Sequence, residues 1–112
     1  MFGPPGSPTA NAWDRVSAAA KVPLFGCDCY AYGLVAGGWA DAVVEADLGP
    51  YDFLALTPII AGAGGVMSDW DGNALGAAWD EVTGHSVAGC PREVVAAGDA
   101  GVHAEVLRLL KG

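Results

Sequence analysis

Apolar positions recur at helical spacing in some stretches and form short unbroken runs in others, and the two patterns alternate along the chain. Residues 1–8 carry Gly3, Pro4, Pro5, Gly6 and Pro8 and read as loop. Trp13, Val16 and Ala20 then lie at intervals of three and four, the apolar face of a helix that Thr9 or Asn11 would cap and Pro23 would end. Residues 22–26 are a short apolar run, expected as a strand entering a glycine turn. Residues 29–36 favour helix, with Gly37-Gly38 at its C-terminus. Residues 40–46, rich in Val and Ala, read as a buried strand.

After a turn at Leu48-Gly49-Pro50, residues 51–61 predict a helix that accommodates Pro58 only with a kink. Gly62-Ala63-Gly64-Gly65 makes the next turn, residues 66–70 the next strand, and Asp71-Gly72 another turn. Residues 73–91 are polar and glycine-rich and are expected as a long loop. Residues 93–97 read as strand. The final helix would bury Val102, Val106, Leu109 and Leu110, with Arg108 and Lys111 near the negative end of its dipole. Strands alternating with helices predict an α/β fold: a layered mixed, largely parallel sheet with flanking helices. No internal repeat or low-complexity tract interrupts this pattern.

Composition supports a folded domain. Hydrophobic residues make up 53% of the 112 positions and charged residues 16%. The formal charge of −8 would repel nucleic acid and anionic membranes, so neither is an expected partner. It would repel a phosphate ester too, unless a metal ion reverses the local sign, and would attract a cationic substrate group. The most apolar stretch, residues 31–44, is broken by Gly37, Gly38 and Asp41 and does not read as a membrane span. Cys27, Cys29 and Cys90 do not look like a disulfide framework, so a reducing compartment is the simpler reading. His85 and His103 complete no four-ligand set with them, and zinc is not expected.

Several residues invite a chemical reading. Asp52 stands at a helix start, where a carboxylate can cap the helix, hold a hard cation, or do both with its two oxygens. Gly26, Cys27 and Asp28 form a strand-to-helix turn, where free N–H groups can meet an anion or Asp28 can simply cap. Glu45 closes a strand and is either a substrate contact or an exposed acid. Asp69 and Asp71, beside Gly72, read as turn residues. His85 and His103 have no nucleophile arrangement around them and read as structural or solvated. Cys27 at a helix start has the position of an activated thiol. The tryptophans suit a core or an interface better than a stacking platform.

Read in order, several motifs carry a resemblance. They are Lys21-Val22-Pro23-Leu24-Phe25-Gly26-Cys27-Asp28-Cys29-Tyr30-Ala31-Tyr32, Pro50-Tyr51-Asp52-Phe53-Leu54-Ala55-Leu56, Gly62-Ala63-Gly64-Gly65, Asp69-Trp70-Asp71-Gly72 and Val95-Ala96-Ala97-Gly98-Asp99. Each alone has little specificity. Together, from about Met1 to His103, they resemble the C-terminal half of the inositol-monophosphatase-like histidinol-phosphate phosphatases of the plant and green-algal type. The Pro-Tyr-Asp form is typical of that branch, whereas inositol monophosphatases usually carry Trp before the Asp. Ala61 departs from the Glu usual in the family, which bears on local structure more than on chemistry.

The resemblance implies a Mg²⁺-dependent phosphomonoesterase that hydrolyses histidinol phosphate, a step of histidine synthesis, by attack of a metal-activated water. It implies Asp52 as the metal ligand from this half, Gly26, Cys27 and Asp28 as the turn facing the phosphate and leaving group, and Glu45 as a contact to the alcohol part. Family members also carry a catalytic Glu and an Asp-Pro-Ile/Leu-Asp-Gly-Thr motif in an N-terminal half, and neither occurs in residues 1–112. The chain is thus expected to be the C-terminal portion of such a domain, a fragment, truncated gene model or short isoform. No catalytic residue is expected in it, and it is expected to be inactive alone. The alternatives are an inositol-phosphate or sugar-phosphate phosphatase, and a non-catalytic half-domain that acts only through binding. A homodimer in the full-length family and a plastid stroma location, otherwise cytoplasmic, complete the expectation.

Overall fold

Strand β5 (Val94–Ala97) is buried at every position in the computed structural model, and the other elements are arranged around it. Residues 2–75, 79–80, 85–86 and 91–112 are described. Strands β1 (Ala42–Glu45) and β2 (Val66–Asp69) flank β5 to give the order β1-β5-β2. Both pairings are antiparallel. Ala42 and Val66 lie opposite Ala97, and Glu45 and Asp69 lie opposite Val94.

The α/β layering with flanking helices is as expected, but the largely parallel sheet is not. β1 and β2 do run the same way, joined by a helical crossover, as the alternation of patterns implied. They do not touch, because β5 occupies the place between them and runs in the opposite direction. Element order along a chain shows which strands share a direction. It does not show which strand inserts between them.

Side chains of a strand alternate between its faces. Val43, Val94 and Ala96 meet Tyr32, Val35, Phe53, Ile60 and Leu75 on one side of the sheet. Val95 meets Ala12, Val16, Val106 and Leu110 on the other. Helices α2 (Asp28–Ala36) and α4 (Thr57–Gly62) cover the first face, and α1 (Pro8–Ala19) and α5 (Ala100–Lys111) the second. Each large apolar side chain buried this way contributes about 1.5–3 kcal/mol.

Helix α1 starts earlier than expected. Ser7 is its cap, accepting from the Ala10 N–H, and Pro8 takes the first turn. Proline suits that turn because the missing N–H would have no helical partner there. Ala12 and Val16 are buried, Trp13 is half-buried, and Ala20 is exposed beyond the last turn rather than part of the apolar face. Arg15 crosses to α5, its Nε donating to the Leu109 carbonyl at 2.7 Å and Nη2 to that of Leu110 at 2.5 Å. A cation is thereby held against the negative end of α5.

Residues 22–26 form no strand. Val22, Leu24 and Phe25 are exposed, and the ring of Phe25 meets Trp13 edge-on at 5.5 Å. An apolar run becomes a strand only where a sheet offers it a partner, and Pro23 brings no N–H to such a pairing.

The single helix expected over 51–61 is broken into α3 (Pro50–Phe53), a 3₁₀ turn at Leu54–Leu56, and α4. Pro58 is the cause. It cannot donate to Leu54 and its ring would strike that carbonyl, so it restarts the helix in its own first turn. Gly65 follows at the entry to β2, where a Cβ would lie 2.5 Å from the Ala97 carbonyl oxygen. Only glycine allows the strands to approach there.

Within the expected loop 73–91, Leu75 is buried, and β3 (Trp79–Asp80) pairs with β4 (His85–Ser86). The rest of that stretch, with Cys90, lies outside the described residues. Among the described residues no helix is long and apolar enough to cross a membrane.

Candidate functional site

The chain enters α2 through a turn of unusual backbone. Gly26, Cys27 and Asp28 have φ of 90°, 75° and 41°. Left-handed conformations at non-glycine residues cost about 1–3 kcal/mol each and persist only where the surroundings impose them. All of these residues are exposed. Asp28 is the first residue of the helix rather than its cap. Cys27 holds the cap position and makes no side-chain capping bond. Cys27 and Cys29 are free thiols.

One turn into α2, four residues after Asp28, is Tyr32. Its side chain is almost fully buried, and its hydroxyl donates to Glu45 Oε2 at 2.7 Å. Glu45 is the last residue of β1 and shares the face of Val43, so it emerges from the apolar layer beside α2. Burial raises the phenol's pKa above the usual tyrosine range. The hydrogen bond to Glu45 and the charges of Glu45, Asp52 and Asp28 raise it further. Of these carboxylates, Glu45 is the one bonded to the hydroxyl.

Asp52 lies in α3, just beyond the end of β1. Its Oδ2 accepts the Gly49 N–H at 2.9 Å, while Phe53 next to it is fully buried. The capping role foreseen for Asp52 is thus present in one oxygen, and the residue itself is exposed. Among the described residues, no three His, Cys, Asp or Glu side chains stand close enough together to hold a metal ion by themselves. Asp52 fits a divalent cation as a single hard-oxygen ligand and no more than that.

At the level of Glu45 across the sheet, Asp69 is a turn residue, as its setting suggested. Its Oδ1 accepts the N–H groups of Asp71 and Asn73, and its Oδ2 accepts the Asn73 side-chain amide. His103 is structural. Its Nε2 lies 2.7 Å from the Oγ of buried Ser68, joining α5 to β2. The side chain of His85 lies outside the described residues. An open hollow of about 310 Å³, lined by Gly3, Thr9, Ala46, Asp47, Arg92 and Glu93, takes in none of the expected site residues, and its Arg92 is paired with Asp47.

Tyr32 is the residue that reading the sequence missed. Its spacing from Asp28 was a usable signal, because positions four apart share a helix face.

The model of the inositol monophosphatase family matches residues 4–110. A chloroplastic bifunctional phosphatase of Arabidopsis thaliana, IMPL2, is 48% identical over 101 residues, which is 90% of this chain and 28% of that protein. Among solved structures, an inositol monophosphatase from Zymomonas mobilis superposes with a TM-score of 0.77 at 36% identity, over 92% of this chain and 36% of that one. The extragenic suppressor protein SuhB of Bartonella henselae, at 21% identity, shares the fold with a TM-score of 0.70 over 91% of this chain and 38% of that one. The chain thus spans little more than a quarter of the length of the curated relative it matches.

Proposed function

The chain belongs to the inositol monophosphatase family, and on that premise we propose that it is the substrate-contacting, C-terminal portion of a phosphomonoesterase whose favoured substrate is L-histidinol phosphate. The observation that carries this reading is the Glu45 carboxylate at the end of β1, held at 2.7 Å by the buried Tyr32 hydroxyl of α2, the helix that begins at Asp28. An acidic site suits a substrate whose alcohol portion carries an amine and an imidazole. The Pro50-Tyr51-Asp52 sequence and the likeness to a chloroplastic phosphatase support the same branch, and with it a plastid location.

In this reading Glu45 and Asp28 accept hydrogen bonds from the cationic part of the leaving group. The turn at Gly26, Cys27 and Asp28 faces the phosphate with backbone N–H groups. Asp52 offers one oxygen to Mg²⁺ while Gly49 holds the other. When bound, Mg²⁺ would supply a water of lowered pKa and stabilise the charge on the leaving oxygen. The other ligands of the ion would have to come from groups other than these residues. The parent enzyme would act as a homodimer.

Purified chain incubated with Mg²⁺ and histidinol phosphate is expected to release no phosphate above the buffer blank. A chimera in which residues 4–110 replace the matching segment of the Arabidopsis phosphatase is expected to release it, and to favour histidinol phosphate over inositol monophosphate. Turnover by the chain alone would overturn the assignment of catalysis to other residues. The reverse preference in the chimera would favour an inositol-phosphate phosphatase.

A second reading, a non-catalytic domain that acts by packing against a partner chain, is favoured by the exposed apolar surface. Val22, Leu24, Phe25, Tyr30, Trp39, Tyr51 and Ile59 all face solvent, Trp39 at 86% and Tyr51 at 84% of full exposure. Such surface drives association. The purified chain is expected to run as oligomers on a sizing column with scattering detection. A monodisperse monomer would count against a packing role.

A further inference from the structure

We propose that Tyr32 is a positioning residue: its buried hydroxyl fixes the carboxylate of Glu45 so that the other oxygen is presented to the amine-bearing alcohol portion of the substrate. The proposal rests on the reading of Glu45 as the contact to that portion.

The geometry is specific. Tyr32 is 1% exposed and sits among Val35, Val43, Phe53 and Ile60, so its ring has no freedom to follow a moving partner. Its hydroxyl is the one polar atom of that side chain. Buried without a partner, it would cost more than it contributes, and a phenylalanine would serve the core better. The hydroxyl instead donates to Glu45 Oε2 at 2.7 Å, the length of a charge-assisted bond.

Glu45 is only half-buried at the end of β1. Without this bond its side chain would sample several rotamers. With it, Oε2 is occupied and the carboxylate plane is set, and Oε1 is left as the acceptor for a ligand.

The same bond joins two pieces of the site. Tyr32 lies one turn from Asp28 on α2, and Glu45 belongs to β1. The turn facing the phosphate and the carboxylate facing the alcohol are therefore locked to each other through one hydroxyl. Preorganisation of this kind lowers the entropy lost when a ligand binds.

The test uses the full 112-residue chain and L-histidinol as the probe, with binding followed by NMR chemical-shift titration of wild type, Tyr32→Phe, Glu45→Gln and the double variant. Tyr32→Phe is expected to weaken binding by about 3- to 10-fold, the effect of freeing one side chain that binding must then order. In the Glu45→Gln background the same change is expected to have no further effect, which a merely structural tyrosine would not show. If Glu45→Gln weakens binding and Tyr32→Phe does not, the positioning role is overturned while the reading of Glu45 stands. If wild type and Glu45→Gln bind equally, or neither binds, the reading of Glu45 falls and the proposal with it. Should Tyr32→Phe fail to fold, side-chain J couplings in the wild type decide the matter. A single Glu45 rotamer supports the proposal, and averaging among rotamers overturns it.

Discussion

Asp52→Asn in the chimera with the Arabidopsis phosphatase is expected to lower phosphate release from histidinol phosphate by more than about 100-fold, because loss of a direct metal ligand should exceed the 10- to 100-fold typical of outer-shell partners. The substitution separates the two roles of this residue. An asparagine Oδ1 can still accept the Gly49 N–H that Asp52 Oδ2 holds at 2.9 Å, so the start of α3 keeps its cap. It cannot supply a second, anionic oxygen to a hard cation. Stability is therefore expected to change little while activity collapses. Raising Mg²⁺ should recover part of the loss if the defect is one of metal affinity. Near-normal turnover by Asp52→Asn would reduce Asp52 to a helix cap and remove the one metal ligand assigned to this chain.

Phe53→Ala is expected to destabilise the chain by about 3–5 kcal/mol, the usual cost of deleting a buried phenyl group. That is a large part of the ~5–15 kcal/mol that holds a domain together, so the variant should be largely unfolded in mild urea. Phe53 has no exposed surface and packs with Tyr32, Val43, Ile60 and Val94 beneath the segment that carries Asp52. Helix α3 is a single turn and has little stability of its own. Its place is set by this anchor, so loss of the ring should both unfold the core and release the carboxylate beside it. Urea unfolding curves of wild type and variant measure the effect. A change below about 1 kcal/mol would mean that the site above Phe53 is held by something other than the core.

What could be read from the sequence were the features that depend on neighbours along the chain. The final helix, with Val106 and Leu110 inward, was legible because the spacing of its apolar face is local, whereas the Asp99 cap on the Val102 N–H was seen only in the structure. So were β1, β2 and β5 to within a residue or two of each end, and Asp69 as the residue that ties its turn. The ordered motifs pointed to the family that the match over residues 4–110 shows. Gly26, Cys27, Asp28, Glu45 and Asp52 could be named as candidates from those motifs. Nothing in their spacing showed that Glu45 would meet the hydroxyl of Tyr32.

Tertiary structure decided the rest, because each remaining question concerned residues far apart in the chain. Whether 22–26 became a strand depended on a sheet edge being open to it, and none took it. Whether the sheet was parallel depended on β5, which lies some 50 positions beyond β1, sliding between two strands that already shared a direction. Tyr32 read as one more aromatic in an apolar helix. It became the centre of the candidate site only when β1 placed Glu45 at 2.7 Å from its hydroxyl. Local patterns are set by the short-range geometry of the backbone, whereas a buried hydrogen bond between two elements exists only once packing has brought them together and removed the water that would otherwise satisfy both groups.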